Sequence, residues 1–275
     1  MKKGDVMKTK TLIILVTLLS FVIPAGEPIS AQEQASRPVL LQVNDYFILY
    51  TYPKAPYLDQ KGRLLIPLKS VQDILGGKVV YDPKAKAATV EMLGRKVTAT
   101  IGSKQITVND NIETMDTVPV LIQNAMFLPV SVLLKDTEAQ MEWDAQQSIL
   151  KLKHESFNQG KILTYSWGQD MYYGNGEKNV IDADAFTLKS YEWDDSGKLV
   201  IHAEYDKSLE MTPQQIDIHP LLAYESSYVV DPYSRPVNQS KIEITQPGSL
   251  TFTRKFGESS HRKLQYIISV GRLVK

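Results

Sequence analysis

The sequence predicts an α+β domain, antiparallel strands wrapped round short helices in two repeats, followed by an all-β domain of sandwich type. Three observations carry this. A segment recurs at an offset of 62 residues in the middle of the chain. Beyond residue 160, β-branched and aromatic residues alternate with polar ones. The chain has 275 residues, 43% of them apolar, enough for a sizeable core without covalent staples. The boundaries read as a leader over 1–31, a first domain over 38–155 and a second over 160–275.

The leader comes first. Lys2, Lys3, Lys8 and Lys10 face one acid, Asp5, and an apolar run from Leu12 to Ile23 ends at Pro24. Small residues up to Ala31 complete the pattern of a secretory signal peptide cleaved after Ala31. A start at Met7 fits as well as one at Met1. The run spans about 18 Å as a helix, short of a hydrocarbon core of about 30 Å. The formal net charge is zero, with 31 basic and 31 acidic residues. Loss of residues 1–31 removes four lysines and two acids and leaves a net of −2. A nucleic-acid partner is not expected, because phosphate contacts need surplus cations. With no cysteine there are no disulfides, thiolate metal sites, thiol nucleophiles or lipid attachment at an N-terminal cysteine.

The repeat is read next. Gly62-Arg63-Leu64-Leu65-Ile66-Pro67-Leu68 matches Asn124-Ala125-Met126-Phe127-Leu128-Pro129-Val130, and Tyr81-Asp82 matches Trp143-Asp144. Upstream, Val43-Asn44-Asp45 matches Val108-Asn109-Asp110 at an offset of 65. Each proline follows a short strand and suits the first turn of a helix. Leu68, Val71, Ile74 and Leu75 recur at helical spacing, and Gly76-Gly77 supplies a left-handed stop. Val79-Val80-Tyr81 and Ala88-Thr89-Val90 make a hairpin turned at Asp82-Pro83. A second hairpin turns at Gly102-Ser103, and Asn109-Asp110 makes the next turn.

These motifs resemble the copper amine oxidase N-terminal-like domain, also called the stalk domain, over roughly residues 38–155. The resemblance implies a small α+β domain common in secreted and surface proteins of Gram-positive bacilli. In the oxidases it is a dispensable appendage that holds neither the copper nor the catalytic cofactor. Lys135-Asp136-Thr137-Glu138 stands where the family pattern has a Leu-Gly helix stop, which leaves the length of the second helix open. Oxidase activity is not expected. Copper favours imidazole ligands, and His154, His202, His219 and His261 are at least seventeen residues apart.

In the C-terminal part, candidate strands are 198–205, 215–218, 241–244, 250–253 and 264–268. Trp167, Tyr172, Tyr173 and Trp193 are the candidate ligand-recognition residues. An aromatic platform for a sugar or peptide is one reading, and ordinary core packing is the other. Tyr172-Tyr173-Gly174-Asn175-Gly176 reads as an exposed loop. Residues 182–217 carry nine acids and three lysines, while residues 251–275 carry six basic residues and one acid. Asp182 and Asp184 lack the further oxygen ligands of a calcium loop. Nucleophile-elbow, zincin and phosphate-loop motifs are absent.

The expectation is therefore a non-enzymatic, secreted or cell-wall-associated bacterial protein with no cofactor or metal. The stalk-like domain would be spacer or docking unit, and the sandwich the recognition or assembly module. Its partner would be a cell-wall polymer or another surface or secreted protein, with no membrane span after signal cleavage. The alternatives are an exported hydrolase of wall glycan, using two carboxylates of the C-terminal half, and an extracellular inhibitor or adhesin.

Overall fold

The computed structural model describes residues 39–52, 54–173, 179–225, 240–256 and 263–275, with side chains at 169–173 excepted. The expected leader lies outside the described residues. The chain is mostly β, with several antiparallel sheets and a few short helices.

Strands β1 (Leu40–Val43) and β2 (Tyr46–Tyr50) form a hairpin that turns where Asn44 adopts φ 51°. After β3 (Tyr57–Leu58) and β4 (Leu64–Pro67), Pro67 leads into helix α1 (Leu68–Asp73). The helix buries Leu68, Ser70 and Val71, and Gly76 at φ +71° turns the chain beyond it, as the glycine pair implies. A five-stranded meander follows: β5 (Lys78–Asp82), β6 (Ala87–Met92), β7 (Arg95–Thr100), β8 (Gln105–Val108) and β9 (Asn111–Thr114). Asp82 stabilises the β5–β6 turn by accepting from the amides of Lys84 (2.8 Å) and Ala85 (3.1 Å).

The same order of elements then returns. Strands β10 (Val120–Ile122) and β11 (Ala125–Pro129) precede helix α2 (Val130–Leu134) and the hairpin β12 (Gln140–Asp144) and β13 (Ile149–Lys153). Asp144 accepts from Gln146 and Gln147 at 2.9 Å, as Asp82 does in the first hairpin. Lacking the glycine stop, α2 ends at Leu134. Asp136 takes φ 57°, and the Thr137 hydroxyl donates to the Leu134 carbonyl at 2.7 Å. The two proline strands pair with each other, Pro67 opposite Phe127, Ile66 opposite Leu128 and Leu65 opposite Pro129. Shifting either strand by 62 residues exchanges the outer two pairs and leaves the central one in place.

A 3₁₀ turn (Glu155–Gln159) leads into helix α3 (Lys161–Tyr173). This helix corrects the expectation of a C-terminal part with little helix and of an exposed loop starting at Tyr172. Tyr172 and Tyr173 end α3, and residues 174–178 lie outside the described residues. Then come β14 (Val180–Asp182), β15 (Phe186–Trp193), β16 (Lys198–Tyr205), β17 (Ile216–Asp217), β18 (Leu221–Tyr224), β19 (Ser240–Gln246), β20 (Ser249–Lys255), β21 (Leu264–Ser269) and β22 (Arg272–Val274).

Strands from both ends of the chain share one sheet, ordered β12-β13-β1-β2-β21-β18. The C-terminal segment β21 lies antiparallel to β2, with Ile48 opposite Ile268. It therefore stands in this sheet and not among the strands 160–275 alone. The reason is burial on both faces. Leu41, Val43, Ile48, Leu150, Tyr266 and Ile268 face a first core with α1, α2, α3 and the meander. Leu40, Phe47, Leu49, Ile149, Leu222 and Ile267 face a second core. Continuous apolar runs such as Tyr46–Tyr50 suit a strand covered on both sides. The far wall of the second core is the sheet β15-β16-β20-β19, whose inward residues include Phe186, Leu188, Leu199, Ile201, Leu250 and Phe252. Its strands alternate buried and open positions, as a half-buried sheet must.

Candidate functional site

The sequence-predicted aromatics go to different places. Trp193 closes β15, is half-buried against the second core and stands 5.8 Å from the Phe256 ring. Trp167 lies on α3, which buries Ile162 and Leu163 in the first core, and is 46% exposed. No ring contact joins the two tryptophans among the described residues. The backbone of Tyr172 and Tyr173 belongs to α3, and their side chains lie outside the described residues.

Three acids of the 182–217 stretch serve turns, Asp182 among them by accepting from the Asp184 amide at 2.9 Å. Asp194 accepts from the Ser196 hydroxyl at 2.5 Å and the Lys198 amide at 3.0 Å, and Asp206 from the amide of Ser208 at 2.9 Å. Asp217 is different. It is buried, as are His219 and Arg272, and its carboxylate binds His219 Nδ1 at 2.5 Å and Arg272 Nη2 at 2.6 Å. Burial pushes the Asp217 pKa up, but the opposing effect of His219 and Arg272 is larger and holds it below the usual carboxylate value. The pair Asp217 and Arg272 joins β17 to β22. The remaining described histidines also serve structure. His154 Nδ1 accepts the Ser156 amide at 3.1 Å, and His202 Nδ1 meets the Thr251 hydroxyl at 3.1 Å. Among the described residues, no group of three or more His, Asp or Glu could hold a metal ion.

A concave site lies elsewhere, in a groove of about 460 Å³. One wall is α1 with β5, contributing Leu68, Lys69, Gln72, Val79 and Tyr81. A second is the β10–β11 turn, with Leu121, Gln123, Asn124, Ala125 and Met126. The corner of the central sheet closes the groove with Tyr52, Glu225 and Gln265. Residues from both sides of position 160 therefore build it.

Both β5 and β10 are the outer strands of their sheets. Gln123 (φ 50°) and Asn124 (φ 62°) form a two-residue turn that makes Ile122 and Ala125 a hydrogen-bonded pair. Ladder alternation then turns the N–H and C=O of Leu121 to the open edge. In the meander, the Leu93–Gly94 turn pairs Met92 with Arg95, so Val90 bonds towards β7 and Glu91 and Thr89 towards β5. Their partners Lys78 and Val80 point inward, leaving the backbone groups of Val79 and Tyr81 on the open edge. Val79, Tyr81 and Leu121 all line the groove.

Its side chains combine amides with apolar surface. Tyr81 is 44% and Leu121 50% exposed, whereas Gln265 is only 3% exposed. Gln123 Oε1 is taken by the amide of Lys54 at 3.1 Å, and the Tyr52 hydroxyl donates to the Gln123 carbonyl at 3.2 Å. The Lys263 ammonium sits 3.0 Å from the Tyr52 ring centroid and covers that face. Lys69 pairs with Asp73 at 3.2 Å. Sequence reasoning missed this site because five separated stretches supply it. The one local signal was Tyr81, in the aromatic-Asp motif.

Residues 42–152 match the family model of the copper amine oxidase N-terminal domain, as the resemblance over 38–155 implied. No curated protein and no solved structure matches the chain. No helix among the described residues is long and apolar enough to cross a membrane.

Proposed function

We propose, starting from that match over 42–152, that the chain is an exported, non-enzymatic bacterial protein that docks onto a cell-wall polymer or another surface or secreted protein. The observation that carries this reading is the groove, a concave site with open sheet edges and convergent amides. The basic, apolar and small-residue order of residues 1–31 supports export. In this reading the two strand–helix–hairpin units are copies of one repeat. The sheet β15-β16-β20-β19 and the central sheet form a sandwich about the second core. The C-terminal part also offers Trp167 as an exposed contact.

The test has two steps. The exported protein, isolated from culture, is expected to begin at Gln32. The purified chain is then incubated with cell-wall sacculi and with immobilised secreted proteins from the same culture. Retention on one of them is the expected result, and retention on neither overturns the reading.

A further inference from the structure

We propose that the groove takes an extended, neutral-to-basic polypeptide segment of a partner protein, bound by strand addition at a free sheet edge. This rests on the docking reading and names the chemistry of the partner.

Three observations converge on it. First, the backbone N–H and C=O groups of Val79, Tyr81 and Leu121 face the open edges of β5 and β10 beside the groove. An extended chain supplies donors and acceptors at the spacing such an edge requires. Secondly, Gln265 is only 3% exposed and lines the groove. One carboxamide offers a donor and an acceptor, which a single peptide unit matches. Thirdly, the cations at the groove are already engaged, the Lys263 ammonium by the Tyr52 ring. Asp73 offsets Lys69, whereas Glu225 has no ion-pair partner among the described residues. A lysine or arginine on the segment gains from that carboxylate, and an acid is repelled. Tyr81 and Leu121 provide the apolar contacts for alternate side chains. A stacked sugar is the weaker fit, because the Lys263 ammonium already occupies the Tyr52 ring face.

The test displays random peptides against the purified full chain and synthesises those enriched. Binding is measured for the parent, Leu121→Pro and Glu225→Lys. Proline at 121 removes an outward N–H without breaking a ladder bond, and circular dichroism checks that the variant folds. Glu225→Lys changes an exposed side chain and keeps the test valid if the proline variant does not fold. The expected peptides alternate apolar and polar residues, carry Lys or Arg, and slow amide exchange at Val79, Tyr81 or Leu121. Leu121→Pro should weaken them at least tenfold, and Glu225→Lys should weaken the basic ones selectively. No enrichment, protection confined to other strands, or a preference for acidic peptides overturns the proposal. So does an N-acetylglucosamine oligomer that protects the same amides and displaces the peptides. Retention on walls or secreted proteins that survives Leu121→Pro sinks this inference alone. Loss of all retention by the parent chain sinks the broader reading as well.

Discussion

The Tyr191 hydroxyl donates to the backbone carbonyl of Tyr50 at 2.7 Å, across 141 residues of sequence. It joins β15 to the end of β2, and so ties the second sheet to the central one. Tyr50 in turn donates to the Ser70 hydroxyl at 2.7 Å on α1, and its ring meets Tyr266 edge-on at 5.3 Å. A line of side chains thus runs from the outer sheet through the central sheet to the first helix.

Removing that hydroxyl should loosen the connection. Tyr191→Phe leaves the Tyr50 carbonyl without this donor and is expected to cost about 1–2 kcal/mol. Burial pushes the Tyr191 phenol to about 12, and its bond to Tyr50 only partly offsets this. A pKa raised on folding gives stability that is full below the unfolded value, near 10. That stability is lost as the pH climbs through the folded value. Urea unfolding followed from pH 9 to 12 should show the parent losing stability more steeply than the phenylalanine variant. Parallel curves would contradict the assignment.

Asp217 should matter in the opposite pH direction. Its folded pKa is depressed by His219 and Arg272 against the effect of burial. Its contribution is present above the unfolded value, about 3.9, and disappears as the pH falls through the lower folded value. Asp217→Asn removes the buried carboxylate that binds both Arg272 and His219, and should cost about 3–5 kcal/mol at neutral pH. Guanidinium unfolding at pH 7 measures it, and the gap to the parent should narrow below pH 4.

Two glycines should respond oppositely to alanine. A Cβ on Gly160 would lie 2.2 Å from the Ile74 carbonyl oxygen, where the end of α1 meets the start of α3. Backbone must move to admit it, and Gly160→Ala is expected to cost at least about 2 kcal/mol. A Cβ on Gly168 meets nothing within 4 Å in the interior of α3. Gly168→Ala should therefore stabilise by about 0.5–1 kcal/mol through helix propensity. Thermal unfolding of both variants separates a close backbone approach from a general intolerance of change in this segment.

Asn44 holds the first hairpin against the end of β13. At φ 51° its side chain donates to the His154 carbonyl at 3.1 Å and accepts the His154 amide at 3.0 Å. Asn44→Ala loses these bonds and a further one to Asn158 at 2.7 Å, and alanine tolerates the left-handed region less well than asparagine, so the expected loss is about 2–3 kcal/mol. Asn44→Gly, which adopts that region freely, should recover part of it. Equal losses in the two variants would leave the backbone conformation without a role.

What the sequence determined by itself is local. Prolines before helices, the left-handed Gly76, Asp82 and Asp144 capping their turns, and the alternation of 198–205 all depend on dihedral preferences or hydrogen bonds within a few residues. Each stands where the pattern placed it. The helix Lys161–Tyr173 escaped because Gly168 and a run of aromatics blur its period, and only Ile162, Leu163 and Ser166 are seen to be buried. Tertiary structure alone decided that Leu264–Ser269 lies beside Tyr46–Tyr50. A continuous apolar run states that a strand is covered on both faces, but any similar run could be its neighbour. The groove follows from that choice. Gln265 and Glu225 reach Tyr81 and Leu121 only once the last strands of the chain have entered the sheet begun by the first.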